Sequence, residues 1–285
     1  MYANARTDLA SEAHRLWRQN EKSGRELQGV KVREEVLEGI SVCSVEITDS
    51  RGEQALGKSI GKYYTMELEK HFDRGSEFFP SAAAILARLL CRCIGVGKGS
   101  FLIAALGNPD ITPDALGSIA ASNIIVTRHL KSHSPEDFKV FSNTALCRTG
   151  VLGTTGIESA VQIKNLCQSI KPDCVIAVDA LAGADVSRLC STIQISSTGI
   201  APGSGVGNNR EALNSETLGV PVIAIGMPTV IDASSLSNAQ GLDSMFVTPR
   251  GIDSQVRSAG RLIGYGINLA LHKGLSVTDV DMLIG

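Results

Sequence analysis

No stretch of this 285-residue sequence approaches the roughly 18 consecutive apolar residues that a membrane span requires. The opening MYANARTDLASEAHRLWRQ also lacks the apolar centre of a secretory signal, so a cytoplasmic protein is expected. Charge of one sign is missing too. Lys and Arg total 27 against 29 Asp and Glu, a net charge of −2, and this leaves no electrostatic footprint for nucleic acid or an anionic membrane surface. The seven cysteines (43, 91, 93, 147, 167, 174 and 190) form no Cys-x-x-Cys pair and lie mostly in apolar runs. They read as small hydrophobes in a reducing compartment, not as a disulfide framework. His129 and His133 are four apart, but no Glu follows the first to make His-Glu-x-x-His. "NIIVTRHLKSH" reads as a strand running into a loop, so no metal or other cofactor is expected there. No low-complexity linker or repeat divides the chain, which points to one domain over residues 9–285.

What the sequence does contain is a series of buried strands. Hydrophobic residues make up 43% of the chain and charged residues 20%, the balance of a globule with a sizeable core. "FLIAALG" (101–107), "NIIVTRHL" (123–130), "CVIAVDAL" (174–181), "TIQIS" (192–196) and "VPVIAIGMPT" (220–229) are nearly unbroken apolar and β-branched runs. Segments of helical length, such as 156–170 and 209–218, separate them, and 249–273 reads as a final helix. The pattern predicts an α/β fold with a mostly parallel sheet and flanking helices. "GISVCSVEITD" (39–49) alternates instead, with Cys43, Val45 and Ile47 on one face, so an antiparallel insertion is expected around residues 29–75.

Asp-Ala-Leu occurs twice, at 114–116 and at 179–181. Asp179 ends a buried run, and Asp114 follows the end of another by seven residues. Ligands of open α/β sheets bind beyond the carboxyl ends of strands. Both aspartates are therefore candidate catalytic residues, although Thr112 as N-cap and Pro113 at the first helical position would also make Asp114 part of an ordinary helix start. Two glycine-rich stretches are candidates for substrate binding. "GVLGTTGIESA" offers Gly153, Thr154, Thr155 and Gly156 at a helix mouth, and "PGSGVGNNR" offers Gly203, Ser204 and Gly205. "GEQALGKS" (52–59) satisfies the P-loop spacing, but an alternating strand precedes it and Glu53 would occupy the phosphate cradle, so Lys58 is not read as a nucleotide ligand.

Together "RTDLASEA", "TPDALG", "VTRHL", "GVLGTTGIE", "VIAVDAL", "GVPVIAIGMPTVIDA" and "MFVTP", in order between Arg6 and His272, resemble the germination protease family of endospore-forming bacteria. The resemblance implies a fold similar to that of hydrogenase-maturation peptidases. It also implies an atypical aspartic endopeptidase whose catalytic pair maps onto Asp114 and Asp179. Such a pair suits hydrolysis without a metal. One carboxylate takes a proton from water, and one carboxylic acid gives a proton to the carbonyl oxygen or the leaving amine. The implied substrates are small acid-soluble spore proteins, degraded in the spore core at germination, and the implied assembly is a homo-oligomer, a tetramer. Substrates of the family are cut after an acid in a sequence resembling Thr-Glu-Ile-Ala-Ser-Glu, which "TDLASE" at 7–12 imitates. A self-processing zymogen with residues 1–8 as leader and Asp8–Leu9 as the scissile bond is therefore expected. Gly183, Ala184 and Asp185 stand where the family pattern has an Arg and a small hydroxylated residue, a change expected to raise the pKa values of the pair. Two other readings stay open, a metal-dependent maturation-type peptidase of similar fold and a non-catalytic binding module for spore proteins.

Overall fold

The computed structural model describes residues 7–21, 26–68, 72–95, 99–207, 210–236, 242 and 245–284. The first six residues of the expected leader lie outside them. Nine strands form one sheet among the described residues. They are β1 (Val30–Leu37), β2 (Ile40–Ile47), β3 (Gly61–Glu67), β4 (Ser100–Leu106), β5 (Asn143–Gly150), β6 (Cys174–Gly183), β7 (Thr192–Ser196), β8 (Val222–Asp232) and β9 (Phe246–Val247). Their order is β1-β2-β3-β7-β8-β6-β4-β5, with β9 beside the end of β8.

The fold is mixed α/β, but the sheet is mostly antiparallel, which corrects the expectation of a mostly parallel one. Only the β4–β5, β4–β6 and β6–β8 pairs are parallel. The β1–β2, β2–β3, β3–β7, β7–β8 and β8–β9 pairs are antiparallel. "TIQIS" misleads because every residue of β7 is buried. A continuous apolar run reports burial on both faces and carries no information about strand direction. "NIIVTRHL" is a second correction. Residues 124–127 lie outside any strand, and Arg128–His133 form a short helix, so His129 and His133 share a helix face. The His133 Nδ1 lies 2.8 Å from the His129 carbonyl oxygen. The edge strand β5, "NTALCRTG", carries too much polar sequence to have been read as a strand.

Each face of the sheet has its own cover. Ile103, Ile176, Val178, Ile193, Ile195 and Ile225 join Phe79, Leu86 and Leu262 of helices Phe78–Ile94 and Ile252–Leu271 in the larger core. On the opposite face, helix Ser159–Ile170 covers Leu102, Ala104, Val175, Ala177 and Val222. Farther along that face, helix Ala10–Asn20 covers Val45, Ile47 and Tyr63. Between these two coverings a cleft of about 810 Å³ opens, floored by Leu181, Gln194, Ser196, Ala224 and Gly226. Asp179 shares this face, because Cα register pairs it with Gly226.

Two glycines bring the Asp114 loop down onto the sheet. Gly107 has φ +90°, and a Cβ on it would lie 2.0 Å from the Asp114 carbonyl oxygen. A Cβ on Gly117 would lie 2.3 Å from the Leu106 carbonyl oxygen and 2.6 Å from that of Val178. These are backbone atoms at the ends of β4 and β6, which cannot rotate away. Gly117→Ala is accordingly expected to cost about 1–3 kcal/mol through overpacking, seen as a melting temperature several degrees lower. An unchanged melting temperature would show that the helix Leu116–Ala121, which carries Gly117, can lift off the strands freely.

Candidate active site

Asp179 is 5% exposed, at the point where β6 leaves its apolar neighbours. Its one hydrogen bond comes from the following amide, Ala180 N–H to Oδ1 at 2.9 Å. Burial, the neighbouring Asp114 charge and, to a lesser degree, the Asp8 charge drive its pKa well above the usual carboxylate range, against the Ala180 hydrogen bond. Asp114 comes from the 3-10 turn Thr112–Asp114 beyond β4. Burial raises its pKa as well, but the Asn108 N–H, 2.8 Å from Oδ2, and the Arg210 guanidinium favour its charged form. The helix-cap role fails on geometry. Thr112 makes no capping hydrogen bond, its hydroxyl donating instead to Asp253 at 3.0 Å, and the Asp114 carboxylate turns back to Asn108.

Thr7 and Asp8 line the cleft, and the Asp8 charge reaches Asp179. The Asp8 N–H donates to the Ala182 carbonyl oxygen at 2.9 Å, and the Ala182 N–H donates to Asp8 Oδ2 at 2.9 Å. The Ser204 hydroxyl reaches Asp8 Oδ1 at 3.0 Å, and a Cβ on Gly205 would come within 2.3 Å of Oδ2. One end of the Gln194 side-chain amide donates to the Asp8 carbonyl oxygen at 2.9 Å, and the other accepts the Ala10 N–H at 2.8 Å. Glu12, 1% exposed, accepts the Ala184 N–H at 2.7 Å and the Asp185 N–H at 3.2 Å. Lys58 Nζ donates to the Thr7 carbonyl oxygen at 2.8 Å. Burial holds the Lys58 pKa below its ordinary value, and the Asp8 and Glu12 charges act against that. Leu9 and Ala10 are wholly buried.

The glycine-rich candidates separate. Ser204 and Gly205 touch Asp8, and Gly203, with φ +75°, starts their turn. Gly153, Thr154, Thr155 and Gly156 are exposed and apart from the segment, and both threonine hydroxyls donate to the Val151 carbonyl oxygen. Thr155 does line a second cleft of about 710 Å³, together with Thr112, Ala115, Arg148 and Arg257. The P-loop spacing of "GEQALGKS" has a packing origin. Gly52 lies where a Cβ would meet the Gly29 carbonyl oxygen at 2.4 Å, and Gly57 is the left-handed C-cap of helix Ser50–Leu56. Sequence reasoning missed Gln194 and Arg210. The lone polar side chain of "TIQI" was a usable signal for the first; nothing local marked the second.

The departure at Gly183–Asp185 does not act on the pair as expected. Burial would raise the Asp185 carboxyl, yet the Ser187 hydroxyl and amide and the Arg15 guanidinium, 2.5 Å away, hold it low. The acids that press on Asp179 are Asp114 and Asp8. No helix among the described residues is long and apolar enough to cross a membrane.

Comparison with known proteins gives the class first: residues 6–244 match a peptidase family, and the chain is an endopeptidase. The matching family is described as germination protease. The germination protease of Caldanaerobacter subterraneus subsp. tengcongensis is 40% identical over 98% of both chains. That of Clostridium tetani is 36% identical over the same shares. The longer Bacillus mycoides protein is 44% identical over 82% of this chain and 65% of its own length. This chain belongs to the germination protease family, the peptidases of spore germination.

The raised Asp179 carboxyl has a consequence for stability. An acid whose folded pKa lies above its unfolded value binds more protons in the native state, so stability falls as pH rises from about 4 through the folded pKa. Asp179→Asn removes that loss. The variant is expected to melt above the parent chain at pH 8 and to lose its advantage towards pH 4. A melting-temperature difference that does not change with pH would contradict a carboxyl held neutral by burial.

Proposed function

We propose that the chain is a zymogen of an aspartic-type endopeptidase for small acid-soluble spore proteins, with Asp114 and Asp179 as the catalytic pair. Residues 1–8 are its leader, and its body has the hydrogenase-maturation-peptidase type of fold. The observation that carries this reading is Thr7–Glu12, a substrate-like segment held beside the pair through its backbone and both of its acids. A segment bound in this way occupies the position a substrate must take, so its presence blocks the cleft. Loss of residues 1–8 frees Lys58, the Ala182 amide and Ser204 for another chain of the same pattern, while Glu12 stays on the Ala184 amide.

The roles of the two carboxyls follow from their surroundings. Asp179 has little compensation for charge and holds the pair's proton, so it is the acid. Asp114 has an amide and a guanidinium favouring its ionised form, so it is the base that takes a proton from water. Two close carboxyls sharing one proton is the state that like charges impose on each other.

The test uses the full chain and a purified small acid-soluble spore protein, with cleavage read by mass spectrometry. Cuts after an acid in Thr-Glu-Ile-Ala-Ser-Glu-like sequences are expected, together with loss of residues 1–8 from the chain itself. Asp114→Asn and Asp179→Asn should each lower both activities by at least about 10²-fold, the smaller end of general acid–base effects, and the double variant little further. A leader that is still removed at the parent rate in Asp114→Asn would overturn the pair.

A further inference from the structure

We infer that Gln194 is a catalytic residue, the donor that polarises the scissile carbonyl and holds the oxyanion formed from it; this rests on Asp8–Leu9 being the bond that is cut. Gln194 is 6% exposed on β7, and its amide orientation is fixed by its partners. Oε1 accepts the Ala10 N–H at 2.8 Å, which leaves Nε2 to donate to the Asp8 carbonyl oxygen at 2.9 Å. The side chain therefore spans the Asp8–Leu9 bond, holding the groups before and after it.

The sheet places this donor opposite the acid. Gln194 is in register with Gly226 of β8, and Gly226 is in register with Asp179 of β6. Residues directly opposite one another across strands point to the same face. Gln194 and Asp179 thus stand on one face, two strand spacings or roughly 10 Å apart, with the Leu181 side chain lying over the glycine between them. Gly226 is required for this packing, since a Cβ there would lie 2.6 Å from both the Asp179 carbonyl oxygen and Leu181 Cγ. The result is one sheet face with an amide donor on β7 and a carboxylic acid on β6, the Leu181 side chain packed on Gly226 between them.

This arrangement assigns the protons. Water oxygen bonds to the Asp8 carbonyl carbon as Asp114 takes a proton from that water. The carbonyl π electrons move onto the oxygen, where Gln194 Nε2–H stabilises the negative charge. When the C=O bond re-forms, the bond to Leu9 nitrogen breaks and its electron pair takes the Asp179 proton. The pair again holds one proton, now on Asp114, which passes to Asp179. With an amide on the oxygen, the acid is left for the amine.

The experiment follows self-processing of the full chain, a first-order rate that does not depend on encounter. Gln194→Glu keeps size and the acceptor for Ala10 but replaces the donor by an oxygen, and Gln194→Met removes both. Each is expected to slow loss of residues 1–8 by about 10²–10³-fold, the usual effect of deleting one oxyanion donor. Hydrogen-exchange protection of the Leu9–Ala13 amides, read in an Asp114→Asn background, should persist in Gln194→Glu. Slowing of less than about tenfold would overturn the proposal, and so would loss of protection matching the loss of rate, because Gln194 would then only grip the segment. If Gln194→Met does not fold, Gln194→Glu carries the test alone. Should Asp114→Asn still process while the Gln194 variants do not, the aspartate pair falls and the carbonyl donor stands.

Discussion

A carboxyl group on the floor of a sheet can remain there only if it is neutral or fully paired, because an isolated buried charge costs far more than a domain's net stability. Asp179 has neither a cation nor a set of donors, only the Ala180 amide. Its surroundings therefore impose protonation, and everything near it is consistent with that demand. Asp114 approaches and adds repulsion, while the one nearby guanidinium, Arg210, acts on Asp114 instead. Two identical side chains become unlike because one lies within a buried strand and the other in a turn that an amide and a cation can reach.

The segment at residues 7–12 is held by a different principle. Its acids are read mainly by backbone N–H groups of Ala182, Ala184 and Asp185, at the end of β6, and Lys58 holds the Thr7 carbonyl oxygen beside them. Amides fixed in a strand lose no rotamer freedom on binding, in contrast to long cationic side chains. Asp8 and Glu12 are four apart, and the helix beginning at Ala10 sets Glu12 over the exit of β6 while Asp8 remains extended before it. In the proposed cut the wholly buried Leu9 and Ala10 stay with the body, and the detached piece gives up the polar contacts of Thr7 and Asp8.

Much of this was legible in the sequence, for identifiable reasons. Asp179 stood out because an acid inside "VIAVDAL" contradicts its surroundings, and "TDLASE" stood out as a copy of a substrate. Strand direction was not legible, since β7 is apolar for the same reason whether it runs with or against its neighbours. Nor was Lys58, whose place in a false P-loop concealed that two glycines of the pattern serve helix packing and helix ending. Arg210 lies far from both aspartates in sequence, and only the return of the loop after β7 brings its charge to Asp114. Local pattern reports burial and turns; the meeting of distant charges belongs to topology.

The chemistry of the substrate also enters the chemistry of the site. The Asp8 carboxylate is one of the charges that push Asp179 upward, so under the proposed mechanism an acid before the cut bond helps keep the proton on Asp179. In the proposed reaction this assistance exists only while an acidic residue occupies the position, which ties specificity to protonation state as well as to binding. Cleavage then reverses the balance. The product ending at Asp8 carries a new α-carboxylate next to the side-chain carboxylate, both close to a pair that already repels negative charge. Gln194 loses its hold across the bond, because the Ala10 N–H and the Asp8 carbonyl now belong to separate chains. The same interactions that seat the uncut segment therefore weaken once it is cut, and the repulsion favours departure of the acidic fragment.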